Sequence, residues 1–364
     1  MTLILNIFCK TSTESPFYSI SPSFDTYGVF SFVIFVYLSA LFFHSYRTTK
    51  SPIPVITWKK SLTFVVVYCL LMYPLHSIAQ AAIYPGTIVK LGSESPPDDL
   101  AEKGEEFTFT SRLDGTVMNA YHQIHYGENS NTVVSRADAS LVPAGEDIIP
   151  VVFLGGNGGT GWYNAKWGND FIRRYLATNT AYFDVYSFSY RGYEPNDKHT
   201  IGEKNVIEDS ISFINYVKDK FPNRRPILVS HSLGTGPTSA MTKHFQSDLS
   251  CVVFGMPFST MTQTAQEVAY YSPMIYLYLV NRWNSAARVK EMSKDVPVVV
   301  LSGGLDELIP PHHQKAMFEA VNSDDKLFSY VEDAYHMDIM TTIDNIGSEY
   351  DDWFLRGCMA RSNM

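Results

Sequence analysis

Ser230-His231-Ser232-Leu233-Gly234 follows the apolar run Ile227-Leu228-Val229 and opens into a small-residue, helix-compatible segment. A serine hydroxyl becomes a useful nucleophile on a sharp strand-to-helix turn, where Oγ stands free at the strand end; small flanking residues let the backbone turn that tightly. Ser232 is the candidate nucleophile. A serine also needs a base to take its proton and an acid to orient that base. The run Val298 to Leu301 leads into Ser302-Gly303-Gly304-Leu305-Asp306-Glu307, so Asp306 is the candidate acid and Glu307 its rival. The run Leu327 to Val331 leads into Glu332-Asp333-Ala334-Tyr335-His336, which makes His336 the candidate general base. Serine, acid and histidine, each just past a strand and in that order, suit acyl transfer through a covalent intermediate.

Acyl transfer further requires donors for the oxygen that becomes negative. The backbone N–H of Leu233 is one candidate. Pro150 to Leu154 reads as a strand and ends in Gly155-Gly156-Asn157-Gly158-Gly159, so the N–H of Asn157 is the other. This glycine loop has neither the G-x-G-x-x-G spacing nor the Gly-Lys-Ser/Thr of a phosphate cradle. Other histidines read differently. His231 fills the variable position of the turn, while His312 and His313, after Pro310-Pro311, read as helix-start or surface residues. No metal or organic cofactor is implied.

The elements that would position these groups alternate. Strands near 150–154, 183–189, 226–231, 250–255, 298–301 and 327–331 are separated by helical stretches, the pattern of an α/β fold with a mostly parallel, doubly wound sheet. Ahead of them, 106–111 and 116–126 flank Asp114-Gly115 and predict an antiparallel hairpin at the sheet edge. An insertion, about 260–294, reads as a helical cap. Its Tyr270, Tyr271 and Trp283 are candidates for holding a substrate's acyl chain, with packing of the cap on the core as the alternative.

The segment from about 104 to 357 resembles the α/β-hydrolase serine hydrolases. The blocks that carry the resemblance are Gly155-Gly156-Asn157-Gly158-Gly159, Ser189-Tyr190-Arg191-Gly192-Tyr193, the Ser232 turn, Asn281-Arg282-Trp283-Asn284-Ser285, and Ser302 to Asp306 with Ile309-Pro310-Pro311-His312. The nearest branch contains the yeast cell-polarity hydrolase and the membrane-anchored ABHD-type lysophospholipid and monoacylglycerol lipases. The resemblance implies an α/β-hydrolase fold and hydrolysis of carboxylic esters of acyl lipids, with Ser232, Asp306 and His336 as the triad. A protein acyl-thioesterase uses the same triad, and a non-catalytic binding scaffold of this fold is the third reading. Two positions depart from the branch: Gly155 stands where a histidine is usual, and Ser230 replaces glycine.

The chain of 364 residues carries a net charge of −9 and has no basic run, so nucleic acid is not an expected partner. Four cysteines are too few for a disulfide framework, and a buried or free thiol is expected for each. Residues 1–91 read as a membrane-anchoring region, 92–105 as a linker, 106–357 as the catalytic domain and 358–364 as a tail. Within the first, 26–46 and 61–84 are uncharged and apolar, each long enough to cross a bilayer as a helix. Arg47, Lys50, Lys59 and Lys60 lie between them, so by the positive-inside rule the loop is cytoplasmic and the catalytic domain lumenal or extracytoplasmic. Reading Lys59 to Ala81 as a cleaved signal, with Ala79-Gln80-Ala81 at its end, gives the same side. An acyl lipid and a membrane are the expected partners; the sequence names no protein partner.

Overall fold

The computed structural model describes residues 76–89, 104–126, 133–134, 148–164, 167–168, 182–194, 197, 199–268, 279–338 and 348–362. The first apolar stretch, 26–46, most of the second and residues 269–278, with Tyr270 and Tyr271, lie outside them.

Among the described residues nine strands form one sheet: β1 (Gly104–Thr110), β2 (Val117–Tyr126), β3 (Val133–Val134), β4 (Ile148–Leu154), β5 (Tyr182–Phe188), β6 (Ile227–His231), β7 (Cys251–Gly255), β8 (Val298–Gly303) and β9 (Lys326–Val331). They run in the order β1-β2-β5-β4-β6-β7-β8-β9, with β3 beside β2. The expected hairpin is present at the edge, β1 and β2 pairing antiparallel around Asp114 and Gly115. From β5 to β9 every pairing is parallel. The aromatic-rich β5 and the aliphatic β6 to β8 are buried along their whole length, as strands covered on both faces must be.

Helices supply that cover: α1 (Glu203–Lys220), α2 (Thr235–Phe245), α3 (Met261–Val268), α4 (Ser285–Val289), α5 (Pro311–Ala320) and α6 (Ser348–Trp353). One apolar layer packs beneath α1 and α2 through Phe213, Val217 and Met241; the other is closed by Tyr350, Trp353 and Phe354. The chain moves outward from β4 to β5 and then returns past β4 to β6. In such sheets the crevice opens where the order reverses, between the ends of β4 and β6. Leu154 and Ser230 are register partners there, so the glycine loop and the Ser232 turn leave the sheet side by side.

Two contacts differ from the sequence reading. Cys251 and Cys358 are not free thiols: they are joined by a disulfide, with Cα atoms 4.9 Å apart, that ties the start of β7 to the C-terminal helical segment. Only the fold brings residues separated by 107 positions together. Second, the end of the apolar stretch 61–84 packs on the α/β domain. Residues 76–83 are helical, Ile83 and Tyr84 are buried in the α1 and α2 layer, and the Gln80 side chain donates to the carbonyl of Ile201. Among the described residues no helix is long and apolar enough to cross a membrane.

Candidate active site

The backbone at Ser232 has φ 51°, a left-handed conformation that a residue with a Cβ adopts only under constraint. The constraint comes from both sides. β6 ends one residue earlier at His231, and a 3₁₀ turn over Ser232–Gly234 runs straight into α2. Gly234 is required at the close approach: a Cβ there would sit 2.0 Å from the carbonyl oxygen of Leu154. The extra Cβ of Ser230, by contrast, is accommodated, because its hydroxyl donates to the Val253 carbonyl on β7 at 3.1 Å.

The structure brings Ser232, His336 and Asp306 into one line. Nδ1 of His336 lies 2.9 Å from both carboxylate oxygens of Asp306, and Nε2 lies 2.9 Å from Oγ of Ser232. A carboxylate accepts, so Nδ1 carries the proton and Nε2 presents its lone pair to the serine O–H. His336 and Asp306 are buried, 2 % and 5 % exposed. Asp306 is itself held: Oδ1 accepts from the N–H groups of Leu308 and Ile309, and Oδ2 from Nε2 of Gln314 on α5. Glu307 points elsewhere, its carboxylate accepting from the backbone N–H of His336 at 3.2 Å.

His231 has more than a filler's place. It is buried beside the His336 ring, and its Nε2–H donates to the His336 carbonyl at 3.0 Å. Burial first, and the neighbouring His336 second, push its pKa down from 6.5 to about 3, so it stays neutral.

The glycine loop borders this line. A Cβ on Gly156 would lie 3.6 Å from that of Ser232, which places Asn157 one residue beyond the closest approach. Two tyrosines from the segment after β5 fix the loop's carbonyls. The Tyr190 hydroxyl donates to the Gly155 carbonyl at 2.8 Å and that of Tyr193 to the Asn157 carbonyl at 3.0 Å. Burial pushes both hydroxyls above their ordinary pKa, so they remain donors. Between them Arg191 is buried and forked onto Asp209 of α1 (2.6 and 2.7 Å) and Asp114 of the hairpin turn (2.6 and 3.1 Å). The departure at Gly155 also has a reason: the side chain of Asn164 occupies that space, its Oδ1 2.0 Å from where a Cβ would be. Leu233 follows Ser232 at the start of the turn into α2, where the first N–H groups lack partners within the helix.

A region matching the α/β hydrolase fold spans residues 149–277, from β4 through the Ser232 turn and into the insertion. Over those residues the chain is similar to the α/β hydrolases. The chain is 26% identical over 152 residues to an uncharacterized membrane protein of Saccharomyces cerevisiae, covering 40% of this chain and 52% of that one. It is 24% identical over 158 residues to protein bem46 of Schizosaccharomyces pombe, covering 43% and 52%. The chain thus spans about half the length of the curated relatives it matches. Among solved structures, the Pyrococcus furiosus esterase Pf2001 superposes with a TM-score of 0.53 at 15% identity, over 73% of this chain and 97% of that chain, which is a likeness of fold.

Trp283 does not line a slot for substrate. Its ring is fully buried against Gly236 and Phe258, and its indole N–H donates to the Tyr84 hydroxyl at 3.0 Å, so it anchors residues 76–89 to the domain. Gln314, Tyr190 and Tyr193 were not singled out from sequence as site residues. The Ser-Tyr-Arg-Gly-Tyr block held the signal for the tyrosines: two aromatic hydroxyls around a lone arginine just past a buried strand.

Proposed function

We propose that this protein is a membrane-held serine hydrolase that cleaves carboxylic esters of acyl lipids, of lysophospholipid or monoacylglycerol type. The observation that carries the reading is the unbroken hydrogen-bonded line from Asp306 through His336 to Ser232, on a residue held at positive φ. Ser232 attacks the ester carbonyl while Nε2 of His336 takes its proton. The N–H groups of Asn157 and Leu233 receive the developing oxyanion. His336 then returns the proton to the leaving alcohol, and water repeats the sequence to release the acid. Asp306 stabilises the imidazolium and keeps its proton on Nδ1.

Attachment to the membrane rests on the apolar stretches of the sequence. With residues 76–84 packed on the domain, the second stretch offers 61–75 to the bilayer. That is about 22 Å of helix against about 30 Å of hydrocarbon, so a crossing there calls for a thinned bilayer or snorkelling of Lys59 and Lys60. The Cys251–Cys358 disulfide supports a lumenal or extracytoplasmic domain, since such bonds persist in oxidising compartments.

The test is labelling of the purified full chain by a fluorophosphonate. Wild type is expected to react at Ser232 and Ser232→Ala not at all; equal labelling of both would remove the nucleophile, and no labelling of a folded wild type would favour the binding-scaffold reading.

A further inference from the structure

The last turn of α3 and the first turn of α5 bring together a carboxylate and two imidazoles. Nε2 of His312 lies 2.9 Å and Nε2 of His313 3.2 Å from one oxygen, Oε1 of Glu267. The ligand-capable atoms of the three residues all lie within 4.8 Å of one another. His312 and His313 both stand at the helix start, as the sequence reading had it; His312 is exposed and His313 buried.

Proton placement on His313 decides what the cluster can do. The Ser259 hydroxyl donates to Oε1 of Gln263 at 3.1 Å, so toward Nδ1 of His313, 3.0 Å away, it can only accept. That orientation of the hydroxyl puts the ring proton on Nδ1. In that tautomer Nε2 turns its lone pair toward the Glu267 carboxylate oxygen 3.2 Å away. Two acceptors at that distance repel in a buried place, and a cation between them converts the repulsion into attraction. An imidazole whose Nδ1–H is tied to a neighbour while Nε2 is free is also the arrangement in which histidine binds metals.

We propose that Glu267, His312 and His313 form a binding site for one divalent transition-metal ion of the zinc type. Two imidazoles and one carboxylate suit Zn²⁺ or Co²⁺, whereas Ca²⁺ and Mg²⁺ prefer all-oxygen sets. Tetrahedral bonds of about 2.0–2.1 Å put donor atoms about 3.3 Å apart; the two imidazole–carboxylate spacings of 2.9 and 3.2 Å are close to that, the two imidazoles lie within 4.8 Å of each other and would close to it on binding, and three protein ligands leave the fourth position to water. The ion would clasp α3, which leads into residues 269–278, to α5, which carries Gln314, the residue that holds Asp306. The site is distinct from the Ser232 line and does not depend on the function proposed for it. Sequence alone hid it because Glu267 and His312 are 45 positions apart.

The test is titration of the full-length, detergent-solubilised protein with Co²⁺ after stripping with a chelator. One equivalent should bind with visible d–d absorption, raise the melting temperature and be displaced by Zn²⁺. Glu267→Gln and His312→Ala, the latter on an exposed side chain, should each weaken Co²⁺ binding by at least roughly tenfold, and Ser259→Ala, which frees the His313 ring, by about 10–100-fold. Ser232→Ala should bind Co²⁺ as wild type does, which separates this site from the serine line. No absorption at a large excess of Co²⁺, or binding unchanged in both Glu267→Gln and His312→Ala, would overturn the proposal.

Discussion

Removing Oγ of Ser232 leaves the rest of its line intact but with nothing to attack. Ester hydrolysis by Ser232→Ala should fall by on the order of 10⁶-fold, measured as kcat on a chromogenic ester. Asp306→Asn should lower kcat by about 10⁴-fold, because an amide N–H facing Nδ1 turns the imidazole to the wrong tautomer. Glu307→Gln should cost far less, since that carboxylate contacts only the backbone of His336. His231 gives a pH signature of a different kind. Its folded pKa of about 3 lies below the ordinary 6.5, so between these values the unfolded chain binds the extra proton and stability declines as the pH falls. Urea denaturation from pH 6.5 to 4 should show this decline, and His231→Gln should flatten it by up to about 1.4 kcal/mol per pH unit. The Ser232–His336–Asp306 line was legible in the sequence because each member follows an apolar run in a fixed order. The neutral His231 was not, since its state is set by burial that no local pattern reveals.

At the scale of elements, the segment after β5 acts as a bracket. Arg191 binds it to α1 and to the hairpin turn, while Tyr190 and Tyr193 reach back to the glycine loop. Tyr193→Phe should lower kcat by less than the roughly 10²–10³-fold cost of an outright oxyanion donor, with KM held, because it loosens a donor's support and leaves the donor itself. Arg191→Met should be far more damaging to stability, by about 3–5 kcal/mol in urea, since it strands the buried Asp209 without its counter-charge. The parallel strands and the edge hairpin could be read from alternation and turn residues; the placing of β5 outside β4 could not. Trp283 could not: an aromatic in an insertion looks the same whether it faces a ligand or, as here, the Tyr84 hydroxyl. Contacts between residues about 200 positions apart leave no local trace.

Over the whole molecule, a hydrolase held against a bilayer meets amphiphiles at high local concentration. Discrimination among single-chain esters should grow with acyl length by about 0.8 kcal/mol per CH₂ until further groups are no longer buried, read as kcat/KM across a homologous series. A flat profile with fastest turnover of acetates would point to a general esterase. Protease added outside sealed vesicles of cytoplasm-out orientation should spare the catalytic domain; its digestion would refute the lumenal placement.

The Cys251–Cys358 bond also sets a clock for biosynthesis. Cys251 opens β7 in the middle of the sheet, yet its partner is made 107 residues later. At about 5–20 residues per second the ribosome needs roughly 5–20 s to cover that distance. Throughout that interval a central strand carries an unpaired thiol, with Cys9 and Cys69 already synthesised ahead of it as wrong partners. The native link therefore closes after translation of the sheet, and nascent chains should pass through mixed disulfides that thiol-trapping at successive chain lengths can capture.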